Sequence, residues 1–163
     1  MTTSNNLTAF YRGWPEHQRL LVKMIAPLTP EQLALRDSTE QRPVWLLTAH
    51  IIGTRIGWFR GWMGEGDPSL DPIDLWDQGD EPTPRAAEEL VEGLEKTWAM
   101  IADCLERWTP DDLAETFTKE HPDRPIIPRS RGWIIWHTLE HDIHHGGEIS
   151  LTLGSHGLPA LDL

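Results

Sequence analysis

Four of the eight histidines stand within nine residues, His137, His141, His144 and His145, and Glu148 follows three positions later. Imidazoles at this density are costly as plain surface and unhelpful as plain core, and the chemistry open to them is metal ligation or proton transfer. If the stretch is helical, His141 and His145 are four residues apart, so both rings leave one face about a turn from each other. His137, His144 and Glu148 fall on that side too, whereas Trp136, Leu139 and Ile143 point the opposite way. This is a chelating geometry. Two imidazoles do not complete a site for a zinc-like ion, which takes three or four protein ligands, so another ligand must come from elsewhere in the chain.

The expected source is His50. It lies in a helix predicted over residues 43–63, PVWLLTAHIIGTRIGWFRGWM, among apolar neighbours that leave an imidazole hard to satisfy without a partner. Gly53, Gly57 and Gly61 follow it at helical spacing and strip side chains from much of its face. Each glycine costs about 1 kcal/mol relative to alanine, so close packing, or room for a metal and its substrate, must compensate. A site in a bundle core needs both.

The elements that hold these residues read as four long helices. Phe10, Trp14, Leu21, Met24 and Leu28 form the apolar stripe of the first, with Pro15 either starting or kinking it. His17 lies on that stripe, and a hydrogen-bonded histidine at the core edge is its plainer reading than a ligand. Thr29 and Pro30 then cap a short helical turn, and the same device recurs at Thr109 and Pro110. Trp45 precedes His50 by five residues, as Trp136 precedes His141, which suggests two related helical hairpins.

Residues 64–83, rich in Gly, Pro and Asp, form a long loop anchored by Trp76, suited to a lid or a crossover. The third helix is expected to start with Thr83 as cap and Pro84 at its first position. It carries Leu90, Val91, Leu94, Trp98, Ile101, Leu105 and Trp108, beside a quiet buried Cys104. Prolines forbid regular helix between residues 114 and 130, where Arg124, Arg129 and Arg131 are ordinary surface cations or face an acidic ligand at the bundle mouth. Beyond the fourth helix, Gly154 is the expected C-cap and His156 faces solvent. The fold class predicted is all-α: an antiparallel four-helix bundle with a long loop between helices two and three, forming a single domain over residues 1–163.

A net charge of -12 argues against nucleic acid and anionic lipid as partners. One cysteine excludes a disulfide framework, and the lack of an apolar run of membrane-spanning length points to a cytoplasmic protein. Nine tryptophans against three phenylalanines and one tyrosine suit either core filling or the walls of an apolar pocket. The outer face of the fourth helix, with Trp136, Leu139, Ile143, Gly146 and Gly147, is apolar enough to suggest a homodimer.

His50 in its W-x4-H setting, together with His141 and His145 in LEHDIHHGGEISL, resembles the DinB/YfiT superfamily of four-helix bundles, and the resemblance spans almost the whole chain. It implies a metal triad of His50, His141 and His145. It also implies kinship with thiol-dependent transferases that use bacillithiol or mycothiol, and a tendency to dimerise. Many relatives carry an HRGQ-like sequence where this chain reads His145-Gly146-Gly147-Glu148, so no role of that arginine or glutamine carries over.

Three imidazoles leave a coordination position open, as in a catalytic site, and suit zinc or nickel first, with iron or copper as further candidates. Such an ion makes hydroxide or thiolate available near neutral pH. Glu148 and His144 are the candidate acid/base residues. The function expected is a divalent-metal-dependent S-transferase, in which a low-molecular-weight thiol attacks a small electrophilic substrate. A metal-dependent hydrolase and a non-catalytic metal-binding stress-response module are the alternatives.

Overall fold

The structure is a computed structural model and describes residues 5–120 and 125–161. The first helix, α1, spans Gly13–Ile25, and Pro15 sits in its first turn, where a missing N–H leaves no intrahelical bond unmade. Phe10 precedes the helix and is exposed, departing from the expected stripe, because a 3-10 turn over Leu7–Ala9 buries Leu7 instead. Thr29 closes a capping box with Gln32 around the single turn α2, Pro30–Leu33. The echo at Thr109 is also present, its N–H and hydroxyl both donating to the Asp112 carboxylate ahead of a 3-10 turn over Pro110–Ala114.

The next helix, α3, spans Val44–Arg55 and runs into a π-turn over Ile56–Arg60, where the Gly61 N–H donates to the Ile56 carbonyl. A β-carbon at Gly61 would lie 2.5 Å from the Gly57 carbonyl oxygen, a contact no side chain permits. Helix α4, Ala87–Arg107, begins later than the Thr83 cap predicts: Glu89 accepts from the Ala86 N–H at 2.9 Å, and Arg85 stays outside the helix over the Trp76 ring. Of the predicted apolar stripe, Leu90, Leu94, Ile101, Leu105 and, just past the helix, Trp108 are buried, whereas Val91 and Trp98 are only partly so; burial of Cys104 pushes its thiol up to about 12 and renders it inert.

Helix α5, Arg131–Ser155, is capped by Ser130, which accepts from the Trp133 N–H. Gly154 lies inside its last turn, and the left-handed position falls to Gly157. Between α4 and α5 a two-residue ladder pairs β1, Thr116–Phe117, with β2, Arg129–Ser130, antiparallel. Arg131 is buried, bridging to Glu115 at 2.7 Å and lying over the Trp108 ring, so it holds the helix start rather than presenting a cation at the bundle mouth. Arg129 lies over Trp133, and Arg124 is outside the described residues.

The expected four-helix bundle is the observed architecture. Its connectivity follows from pairs of touching residues. Trp14 and His17 of α1 meet Asp142 and Gly146 of α5, so those helices are parallel; Gln18 and Trp14 meet Leu94 and Trp98 of α4, so those are antiparallel. His50 and Trp58 meet His145 and Trp133, making α3 and α5 antiparallel, whereas Ile52 and Arg55 meet Gly93 and Thr97, making α3 and α4 parallel. A parallel pair needs a connection that returns along its whole length, and residues 61–86 supply it. Each sequence hairpin therefore packs mainly on the other half, α1 and α3 both lying against α4 and α5.

At the centre, Arg55 and Asp142 are both fully buried. Arg55 donates Nε and Nη2 to the Asp142 carboxylate, at 2.8 Å for the shortest contact, and Nη1 to the Leu94 carbonyl and Thr97 hydroxyl. Trp14 Nε1 donates to the same carboxylate at 2.7 Å. One ion pair thus reaches all four long helices. On the outside, Trp136 and Ile143 are exposed, but Gly146 is not part of that face: it is buried where a β-carbon would come within 3.0 Å of His17. Among the described residues, no helix is long and apolar enough to cross a membrane.

Removing one partner of a buried ion pair strands the other, so Asp142→Ala should lower stability by about 3–5 kcal/mol. The double replacement Arg55→Met with Asp142→Leu should cost clearly less. Urea denaturation of the three proteins checks this; equal losses for single and double variants would mean the pair is not the buried charge that matters.

Candidate metal centre

His50 on α3 and His141 and His145 on α5 converge, each offering a ring nitrogen, with all three nitrogens within 4.8 Å of one another. Their ring centroids lie 4.8 Å (His50 to His141), 5.0 Å (His50 to His145) and 4.3 Å (His141 to His145) apart. The i,i+4 pair comes from helical repeat alone, and antiparallel packing of α3 on α5 brings in the third ring.

Two of the three imidazoles are oriented from behind. His50 Nδ1 lies 2.6 Å from Asp77 Oδ2, and His145 Nδ1 lies 2.5 Å from Glu148 Oε2. In a neutral ring the nitrogen facing a carboxylate carries the proton and donates it, which leaves Nε2 with its lone pair free. His141 has no such carboxylate: Nε2 is 3.4 Å from the Thr54 hydroxyl and Nδ1 is buried without a hydrogen-bond partner. An orphaned nitrogen on a half-buried ring, beside two rings whose lone pairs are kept free, is a donor set that fits a divalent cation.

The electrostatics agree. Burial first, and the neighbouring imidazoles second, hold His141 down to about 3. Burial also lowers His145, against the opposing pull of Glu148. Both rings are therefore neutral at physiological pH, as ligation requires.

The remaining predicted residues divide clearly. Glu148 is at the site. His144 is well exposed at its rim, its ring 4.8 Å from that of His145 and its Nε2 3.8 Å from Glu148 Oε1, so that His144, His145 and Glu148 form a second group able to hold a metal beside the three converging rings. His137, one turn before His141, stacks on Trp133 at 4.7 Å and pairs with Glu140. His17 lies against Gly146 and is buried, which lowers its pKa, but its Nδ1 has no hydrogen-bond partner, so it is a core histidine without the hydrogen bond that the plainer reading expects. Of the glycines, Gly53 is closed off by Asp77, whereas Gly57 has open space before it.

Beside two of the three rings a cleft of about 400 Å³ opens, lined by His50, His145, Glu148, Leu47, Leu151 and Arg42, with Asp37 and Glu40 also around it. Asp77 was not among the predicted residues. Its only sequence signal is its place directly after the anchor Trp76, since a loop carries no periodicity.

His141 gives a pH dependence. Its folded pKa lies below the ordinary value of 6.5, so the unfolded chain binds the proton first: stability is full above about pH 6.5 and falls as pH drops toward 3. Thermal denaturation of metal-free protein should show this fall, and His141→Gln should flatten it; an unchanged pH slope in the variant would contradict the assignment.

The description "DinB superfamily" belongs to the family whose model matches residues 14–149, most of the chain. No curated protein matches significantly. Among solved structures, a DinB-like protein from Bacillus cereus ATCC 10987 superposes with a TM-score of 0.72 at 21% identity, covering 99% of this chain and 99% of that one. That likeness establishes the fold, and the family match completes it: the chain belongs to the DinB superfamily.

Proposed function

We propose that this protein binds one divalent metal ion through His50, His141 and His145 and uses it to transfer a low-molecular-weight thiol to a small electrophilic molecule. Zinc or nickel is the first choice of ion for such ligands, with iron or copper next. The observation that carries the reading is the meeting of three imidazole nitrogens from two helices, two of whose rings, His50 and His145, line a cleft of about 400 Å³. A cleft at the ligands favours an enzyme over a closed, non-catalytic metal-binding module. When bound, such an ion supplies a Lewis acid that brings the pKa of a thiol or of water toward neutrality.

The chain's own residues do the rest. Asp77 and Glu148 keep the Nδ1 protons of His50 and His145 in place, fixing both the tautomer and the ring orientation. Glu148 also lines the cleft, so its second oxygen is placed to take the proton that the thiol releases. His144, 3.8 Å from that oxygen and open to solvent, is placed to carry the proton out. Sulfur forms the new bond to the electrophilic carbon, and the leaving group departs with its electron pair. Leu47 and Leu151 supply the apolar wall. Three carboxylates, Asp37, Glu40 and Glu148, against the single Arg42 favour a neutral or cationic thiol over a polyanionic one.

Purified protein should take up one equivalent of zinc or nickel, and alanine at His50, His141 or His145 should each weaken binding by about two orders of magnitude. Conjugation of monochlorobimane should be accelerated with cysteamine more than with mercaptosuccinate, and Glu148→Gln should slow it by about 10²-fold. Full metal retention by all three variants would end the triad. Metal uptake with no acceleration by any thiol would remove the transferase and favour hydrolysis, in which water is the nucleophile.

A further inference from the structure

The connection between α3 and α4, residues 61–86, is long enough to hang free, yet it is tied down along its course. Leu70 and Ile73 are buried, and the Trp76 ring lies where a β-carbon on Gly93 would touch it at 3.0 Å. Its acidic residues have distinct roles. Asp67 caps the turn at Pro68–Leu70 and Asp71 pairs with Arg60, both exposed. Asp77 alone among them is recorded reaching a histidine of the metal centre: Oδ2 is 2.6 Å from His50 Nδ1, at 15% side-chain exposure. Its other oxygen, Oδ1, rests on the bare backbone of Gly53, where a β-carbon would come within 3.0 Å. Gly53 is thus the gap that admits the carboxylate, one turn beyond the imidazole it holds.

We propose that Asp77 is a positioning residue that makes this crossover part of the metal centre, so that docking of the loop and binding of the metal strengthen each other. The proposal rests on the reading of His50 as a ligand. A carboxylate behind a ligating imidazole fixes the ring and raises its basicity, and removing such a partner commonly weakens metal binding by about 10- to 100-fold. Here the carboxylate is delivered by a loop rather than by the bundle, so the same interaction works in both directions. If the docked loop favours metal binding by a given factor, the metal favours docking by that factor. A carboxylate that merely satisfies a half-buried histidine would leave metal affinity unchanged.

The test measures zinc affinity by chelator competition and amide hydrogen exchange of residues 74–78, with and without zinc. Asp77→Asn and Gly53→Ala are the variants, the second keeping the carboxylate but filling its seat. Asp80→Asn, exposed on the same loop, is the control. Asp77→Asn should bind zinc about 10- to 100-fold more weakly, and Gly53→Ala should weaken binding in the same direction by displacing the carboxylate. Zinc should slow exchange in the loop of the native protein and of Asp80→Asn, but not in the two variants. Zinc binding by Asp77→Asn and Gly53→Ala equal to native, or loop exchange indifferent to zinc in the native chain, overturns the coupling. A native chain that takes up no zinc fails earlier, at the reading of His50 as a ligand.

Discussion

A single guanidinium and a single carboxylate meet out of water where the four long helices cross. Arg55 belongs to α3 and Asp142 to α5; Trp14 of α1 donates to the same carboxylate, and Leu94 and Thr97 of α4 accept from the guanidinium. Such a pair is costly to desolvate, and an apolar replacement of similar volume serves stability as well or better. What it supplies is register. Asp142 adjoins His141 in sequence, and Arg55 lies five residues beyond His50, so the contact that fixes α3 against α5 also sets how the three imidazoles meet. A slip of one helical turn, about 5.4 Å, would keep both apolar faces covered and take the rings apart.

On that fixed register the site is built in two layers. The inner layer is three imidazoles, of which His141 and His145 are kept neutral by burial and by their neighbouring rings. The outer layer is unequal: Glu148 comes from the same helix as the ring it holds, Asp77 from a loop, and the third ring has no carboxylate behind it. Local helical geometry secures His145, and tertiary packing secures His141. The orientation of His50 depends on a segment that must first find its place on the bundle. The cleft begins where His50, His145 and Glu148 meet, so the least secured of the three rings stands next to open space.

Much of this was legible in the sequence, for identifiable reasons. His141 and His145 were readable because four residues is the helical repeat, and His50 because an imidazole in so apolar a helix needs a partner. The Thr29 and Thr109 caps were readable because their pattern is local. The misses are long-range or depend on competition. Phe10 fits the helical stripe by spacing, but the 3-10 turn ahead of α1 buries Leu7 instead. Thr83 and Pro84 look like a helix start, yet Glu89 caps Ala86 and Trp76 captures Arg85 outside the helix. Arg131 looks like a surface cation, and only the fold shows Trp108 and Glu115 around it. Asp77 carries no period at all. The strongest signal left unread was one arginine closing the largely buried run of α3 and one aspartate beside His141 in α5.

X-ray absorption spectroscopy of the zinc-loaded native protein addresses the metal centre most directly. Three imidazole nitrogens at about 2.0–2.1 Å, with the rest of the sphere made up by water oxygen or other exogenous ligands, is the predicted result. A spectrum fitted by one imidazole or none would mean that the rings from α3 and α5 do not share an ion, and the chemistry built on them would have no centre.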